Sequence, residues 1–390
     1  MALGDITALR IESIAATGTG LARTENGCVF VDLAAPGDLL RLKITEEQRG
    51  WARAEILEIL EASPQRIKPL CSLYGICGGC NFGHLNYKAQ LAAKKNILEE
   101  SFERITGFIP ANIRIVPSEP WEYRNRVQFH CPGNKKLIGL IERKGKKIIP
   151  LSDCPIADPG IREALRDPEK KCLCPPVHKD RFNVYSRGDL FLSEGGNRRG
   201  KLIMGENKKN LVIDAGVFFQ SNYEMLEILL EDLENLAKDC VSLPLADIYC
   251  GIGTFSALIG DNFPEIELIE ENKTALALAR ENVYGKNRRF YAIKADDWIK
   301  NTRPDNKTWG LIIADPPRTG LSPGLKQFLA VSKVKTLAYV SCDPVTLARD
   351  SKTLCGSGFS LKELTLYDFY PQTSHIESLA IFCRERNSGD

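Results

Sequence analysis

No apolar run in the 390 residues approaches the roughly 20 needed to cross a bilayer, so no membrane span is expected. The opening stretch MALGDITALRIES lacks a basic segment followed by an apolar one. No secretory signal is therefore expected, and a cytoplasmic location follows. Internal repeats and low-complexity tracts are absent too. Strong net charge is also missing: the formal value is +2, which by itself argues for no nucleic-acid partner. A 43% hydrophobic and 26% charged composition belongs to a globular protein, and 390 residues exceed one ordinary core, so two or three domains are expected.

The distribution of charge is more informative than its sum. Residues 88–147 carry 13 Lys/Arg against 6 Asp/Glu, and residues 170–209 carry 10 against 4. The basic excess in the middle of the chain suits an RNA-facing surface, although solvated loops give the same signal. Cysteine is not scarce. There are 13, an odd and high count that in a reducing compartment points to metal binding or catalysis, not to disulfides.

Residues 5–62 alternate apolar and polar positions in five short runs separated by Gly, Pro or Asn-Gly. This predicts a small OB-like β-barrel. SPQRIKPL makes a polar junction. Residues 63–213 are irregular and rich in Cys, Pro and Gly around one helical stretch, LNYKAQLAAKKNILEESFERIT, and predict a β-rich central domain with a metal site. Residues 214–390 change to alternating strand and helix, five βα units followed by two adjacent strands. That pattern predicts a doubly wound, Rossmann-like domain with a closing hairpin and makes the chain a multidomain α/β protein.

The first strand of the C-terminal domain runs into Asp247-Ile-Tyr-Cys-Gly-Ile-Gly-Thr-Phe-Ser256 and opens a helix. Gly251 and Gly253 allow a sharp turn and close approach of a ligand. The second strand ends at Glu270, where a carboxylate can accept hydrogen bonds from both ribose hydroxyls of a nucleoside cofactor. Nicotinamide enzymes share this feature. The third and fourth strands end at Asp296 and Asp315, the latter within Asp-Pro-Pro-Arg318; each Asp is equally able to cap the following helix. The fifth strand ends in Val-Ser-Cys342-Asp-Pro, which places Cys342 at a helix N-terminus with Asp343 as N-cap and Pro344 in the first turn. There the helix dipole is expected to lower the thiol pKa. Between the last two strands, Tyr370-Pro-Gln-Thr-Ser-His-Ile-Glu377 brings His375 and Glu377 toward the same crevice as acid/base candidates.

DIYCGIGTFS, IADPPRTGL, YVSCDPVTLARD and FYPQTSHIES resemble, in order and spacing, the motifs of the RNA uridine-C5 methyltransferases, and Phe218-Phe-Gln220-Ser-Asn222 resembles their FxQxN segment. The resemblance implies S-adenosylmethionine contacts at Gln220, Tyr249, Thr254, Glu270, Asp296 and Asp315, a nucleophile at Cys342 and a proton acceptor at Glu377. Asp343 stands where the family often has Asn, a change that keeps the helix cap. Upstream, the N-terminal strands (1–62) look like a TRAM domain. Cys71, Cys77, Cys80 and Cys154 look like the iron–sulfur ligands of the ribosomal branch. Four thiolates suit zinc or a 4Fe–4S cluster alike; the resemblance favours 4Fe–4S. The Cys71-x5-Cys77-x2-Cys80 spacing departs from the C-x3-C-x2-C of radical enzymes, so the cluster is read as structural. Cys172 and Cys174 are alternative ligands.

C5 of uracil is a poor nucleophile toward a sulfonium methyl until a thiolate adds at C6, which is why a Cys–Glu pair suits this chemistry. The target uridine must be single-stranded or flipped out. Arg124 and Arg126, with Trp121, Tyr123 and Phe129, are candidates for holding it by phosphate contacts and stacking. Within the family, the TRAM-like region and four cysteines favour 23S ribosomal RNA as partner over tRNA; no obligate protein partner is evident. An amine methyltransferase is the rival enzyme, because Asp-Pro-Pro resembles the motif used there, but an amine needs no thiol. A non-catalytic RNA-binding or folding factor is the rival from another class.

Overall fold

A computed structural model describes residues 2–132, 137–169, 171, 173, 175–177 and 179–384. Cys172 and Cys174 lie outside this set. The first sheet comprises β1 (Ile6–Arg10), β2 (Ser13–Ile14), β3 (Gly20–Thr24), β4 (Gly27–Val31), β5 (Leu39–Gln48) and β6 (Trp51–Glu61), in the order β1-β5-β6-β4-β3-β2. Alternation sends Val29, Val31, Leu40, Leu42 and Ile44 into one buried cluster, while Arg41 and Lys43 between them on β5 face outward. The first run of the sequence pattern divides into β1 and β2 at Ile11-Glu12, giving six strands where five are expected.

Helix α1 (Tyr87–Thr106) is capped by Asn86, whose side chain accepts a hydrogen bond from the Ala89 N–H. Strand β7 (Ile113–Val116) follows. The central sheet holds β8 (Arg126–His130), β9 (Gly139–Ile141), β10 (Ile148–Pro150), β11 (Arg181–Arg187) and β12 (Leu190–Ser193), with α2 (Pro159–Arg166) packed on it. Strands β13 (Arg199–Met204) and β14 (Lys209–Asp214) form a separate hairpin, and α3 (Tyr223–Lys238) leads into the C-terminal region.

That region runs β15 (Leu245–Ile248), α4 (Thr254–Ile259), β16 (Ile266–Ile269), α5 (Lys273–Asn282), β17 (Arg288–Tyr291), α6 (Ala295–Thr302), β18 (Thr308–Ala314), α7 (Pro323–Val331), β19 (Lys333–Ser341), α8 (Pro344–Gly356), β20 (Phe359–Tyr367) and β21 (Glu377–Arg384). The sheet order is β17-β16-β15-β18-β19-β21-β20-β7. The first five strands are parallel and β21 is antiparallel to both neighbours. Strands β15 and β16 are buried at every position, which fits strands covered by helices on both faces. The order reverses between β15 and β18, and a crevice opens at the carboxyl ends of such strands.

Two segments expected within the central domain 63–213 pack elsewhere. α1 lies against α8 and β7 adds a parallel strand to β20. The β13–β14 hairpin shares the core of the C-terminal sheet, and Asn282 of α5 exchanges two hydrogen bonds with the Val212 backbone, at 2.7 and 3.1 Å. Periodicity identifies a helix or a strand but not its partner, and here the partners lie far along the chain. No helix among the described residues is long and apolar enough to cross a membrane.

Candidate active site

Two adjoining cavities, of about 700 and 340 Å³, open at the carboxyl ends of β15, β16, β18 and β19 and share Tyr249, Glu270, Glu271 and Pro317. Their walls begin with the turn after β15. Tyr249 takes a left-handed φ of 65°, and Gly253 caps α4 at φ 77°. A Cβ at Gly253 would stand 2.9 Å from Val283 Cγ2 and 3.1 Å from Ala279 Cβ, so glycine lets this turn pack against α5. Below the turn, the buried Asp247 carboxyl accepts hydrogen bonds from the Ser256 hydroxyl (2.7 Å) and N–H (3.2 Å). Burial pushes its pKa up to about 6.

Gln220, Tyr249, Thr254, Glu270, Asp315, Cys342 and Glu377 all line the larger cavity. Glu270 follows β16, and its carboxylate accepts hydrogen bonds from the Gly251 N–H (3.1 Å) and the Asn272 N–H (2.7 Å), which fix it at the crevice. Gln220 is buried, and its Oε1 has no hydrogen-bond partner among the described residues. Thr254 is the first residue of α4. Asp296 is the exception. The strand before it ends at Tyr291, and Asp296 sits in the first turn of α6, lining the smaller cavity with its carboxylate engaged by the Ser322 hydroxyl.

The chemistry-bearing end of the larger cavity is formed by Asp315, Cys342 and Glu377. Cys342 directly follows β19, and Asp343 caps α8 by accepting from the Thr346 N–H at 2.8 Å. The expected fall in thiol pKa is overturned. Burial, then the carboxylates of Glu377 and Asp315, push it up to about 11, against the opposing pull of Arg318. A helix terminus contributes on the order of 1 kcal/mol, which two neighbouring carboxylates and desolvation outweigh. Glu377, the first residue of β21, is 4% exposed. Burial and Asp315 drive its pKa well above the usual carboxylate range, and burial with Asp247 raises Asp315 likewise. A carboxyl held this way is a stronger base than an exposed one. His375 moves the other way, to about 4, because of burial and the nearby Arg318, Arg124 and Lys94. A neutral, weakly basic imidazole leaves Glu377 as the better proton acceptor.

Of the residues expected to hold the RNA, Arg124 and Arg126 line the larger cavity. Tyr123 and Phe129 do not. The alternation of β8 turns Phe129 inward against Phe182, and the buried Tyr123 hydroxyl donates to the Pro371 carbonyl at 2.8 Å. Trp121 lines a different cavity. Phe218 does line the larger cavity; it is 60% exposed, with the Arg126 guanidinium 5.6 Å from its ring centre. Its place in the Phe-Phe-Gln-Ser-Asn run was the available signal. Ser322, which holds Asp296, had none.

Cys71, Cys77, Cys80 and Cys154 line one separate cavity of about 160 Å³, together with Tyr74, Arg124 and Gln372. All four are free of disulfides. Burial raises the pKa of Cys77 and Cys154 and takes Cys80 up to about 12, with Cys154 the next contributor at Cys80. As placed, no three Cys, His, Asp or Glu side chains among the described residues stand close enough to hold a metal ion. The four cysteines expected as ligands thus share one cavity but, as placed, do not form a ligand cage.

A family model described as tRNA (Uracil-5-)-methyltransferase matches residues 201–385. An uncharacterized RNA methyltransferase of Treponema denticola is 32% identical over 386 aligned residues, covering 91% of this chain and 93% of that protein. Another, from Aquifex aeolicus, is 30% identical over 417, covering 96% and 97%. Among solved structures, the chain is similar to Pyrococcus abyssi tRNA (uracil-54, C5)-methyltransferase in complex with S-adenosyl-L-homocysteine. The TM-score is 0.71 with 23% identity, over 96% of this chain and 100% of that one. At this identity the likeness is one of fold.

Proposed function

From the premise that the chain belongs to the RNA uridine-C5 methyltransferase family, we propose that it transfers a methyl group from S-adenosylmethionine to C5 of a uridine, with Cys342 as nucleophile and Glu377 as proton acceptor. The observation that carries this reading is the convergence of Cys342, Glu377 and Asp315 at one end of a cavity whose other walls hold Gln220, Tyr249 and Glu270.

These donors fit a nucleoside cofactor. Glu270 is fixed where it can accept from ribose hydroxyls, the unpaired Gln220 Oε1 offers a further acceptor, and Tyr249 and Thr254 line the same walls. Asp296 joins from the smaller cavity. When bound, S-adenosylmethionine supplies an electrophilic methyl on a positively charged sulfur, a charge that suits the carboxylates around it.

Cys342 as thiolate adds to C6 of the uracil ring, and the C5–C6 electron pair moves into an enolate with density at C5. C5 takes the methyl as its bond to sulfur breaks. Glu377 then removes the C5 proton, the C5–C6 double bond re-forms, and Cys342 leaves as thiolate. Arg124, Arg126 and Phe218 line the same cavity and would hold a flipped base and its phosphates.

The four cysteines fit a 4Fe–4S centre in number, ligand chemistry and common cavity. As a structural centre it would tie residues 71–80 to residue 154 and take no part in the reaction. Protein purified without oxygen should be brown, with about four iron atoms per chain. Cys77→Ser should lose the colour and lower the thermal midpoint, because metal binding is coupled to folding. Stoichiometric zinc without iron would contradict the assignment.

The first sheet is read as a TRAM domain within residues 1–62, the central sheet as the cluster-bearing domain within 63–213, and residues 214–390 as the methyltransferase domain. With four cysteines this plan favours 23S ribosomal RNA over tRNA. Mapping 5-methyluridine in both RNAs, with and without the gene, tests it. 23S ribosomal RNA should lose 5-methyluridine, whereas loss confined to tRNA would reassign the substrate.

A further inference from the structure

Asp315 and Arg318 act on the Glu377 carboxyl through charge, and no hydrogen bond reaches it among the described residues. Its aim is therefore set by its backbone, which enters β21 from the loop 368–376. The first half of that loop has its own anchors. Lys94 donates to the Tyr370 carbonyl (2.9 Å), Tyr123 to the Pro371 carbonyl (2.8 Å), and Gln90 exchanges hydrogen bonds with Gln372. The half nearer Glu377 is held by Asn81. Its Nδ2 donates to Ser374 Oγ (2.9 Å) and its Oδ1 accepts from the Ser374 N–H (2.8 Å). The N–H groups of Asn81 and Phe82 also donate to the Gln372 carbonyl, at 3.1 and 2.9 Å. Gln372 has a left-handed φ of 66°, a conformation that persists only when its surroundings hold it.

Asn81 directly follows Cys80, and the Tyr74 hydroxyl fixes its carbonyl at 2.9 Å. The turn between β2 and β3 covers the same spot. A Cβ at Gly18 would stand 2.4 Å from Ser374 Oγ and 2.6 Å from Asn81 Nδ2, so only glycine fits. The first sheet, the cysteine segment and the loop before Glu377 thus meet at one pair of side chains.

We propose that Asn81 is a positioning residue for proton transfer, its two hydrogen bonds to Ser374 fixing the loop that aims Glu377 at the C5 proton. This rests on the assignment of Glu377 as proton acceptor. Loss of Asn81 should spare thiolate addition and methyl transfer, which do not need the base, and slow elimination. A displacement of about 1 Å at a reacting group costs about 100-fold.

The test is a single-turnover reaction with labelled S-adenosylmethionine and unmodified RNA from cells lacking the gene, quenched in denaturant. Two readouts are followed, the rate of methyl transfer and the fraction of label held in protein–RNA adduct. Asn81→Ala should transfer methyl at close to the wild-type rate and release product about 10- to 100-fold more slowly, accumulating labelled adduct. Asn81→Asp should restore release, since its carboxylate can accept from both the Ser374 N–H and its hydroxyl. Ser374→Ala removes one of the two bonds without touching the cysteine segment. It should show a smaller accumulation, and it decides the matter if Asn81→Ala does not fold. Glu377→Gln is run alongside. If it traps adduct while Asn81→Ala and Ser374→Ala do not, or if these slow both steps equally, Asn81 has no positioning role and the acceptor assignment stands. If Glu377→Gln traps none, the acceptor assignment falls and this inference with it.

Discussion

Glu377→Gln accumulates a protein–RNA adduct that survives denaturing electrophoresis and carries the transferred methyl group. The amide keeps the volume of the carboxyl and cannot accept the C5 proton. Cys342 still adds at C6 and C5 still takes the methyl, so the reaction stops at a saturated, methylated ring covalently bound to the enzyme. Turnover should fall by about 10²- to 10⁴-fold, the usual contribution of a positioned base. The buried carboxyl also raises the Cys342 pKa. Its neutralisation should therefore lower that pKa, so addition is not slowed by the change. Normal turnover without trapped adduct would move the acceptor role elsewhere. His375, pushed down to about 4, would then be a base of little strength at neutral pH.

Cys342→Ala should abolish both adduct and product, with turnover reduced by at least about four orders of magnitude. Among the described residues, Cys250 is the other thiol lining the cavity, and it is buried with its pKa driven well above the usual range. Cys342 is half-buried and makes none of the hydrogen bonds that cap α8, so folding and cofactor affinity should stay near the wild-type values. Measuring S-adenosylmethionine binding by calorimetry separates the two. Residual methylation by Cys342→Ala would show that the reaction needs no thiol, as the amine methyltransferase reading requires.

Much of the C-terminal region was legible because its signals are local. Strands β15, β16 and β18 read as short apolar runs, and Asp343 caps the helix after Cys342 as its place in the sequence suggests. The crevice residues were legible for the same reason: a doubly wound sheet brings the ends of its strands together, so Glu270, Asp315 and Cys342 needed only their places after successive strands. What failed were properties set by distant partners. α1 read correctly as a helix, but its packing on α8 depends on residues some 250 positions away, and β7, which the sequence reading did not contain, pairs with the equally distant β20. Phe129 and Tyr123 carry the side chains of a stacking site, yet the pleat of β8 and the Pro371 carbonyl take them into the interior. Helix position is visible in a sequence, whereas the burial of Cys342 and the charges of Glu377 and Asp315, which raise its pKa, are not. Asn81 carries no motif at all. Its meaning appears only when Ser374, nearly 300 residues on, lies against it.

If the methyl goes to C5, C5 must lose its proton. RNA prepared with tritium at C5 of uridine and incubated with carbon-labelled S-adenosylmethionine reports both events in one reaction. One tritium should enter water for each methyl group fixed, digestion should yield 5-methyluridine, and Cys342→Ala should release none. Methyl transfer without tritium release would place the methyl on another atom and contradict the account.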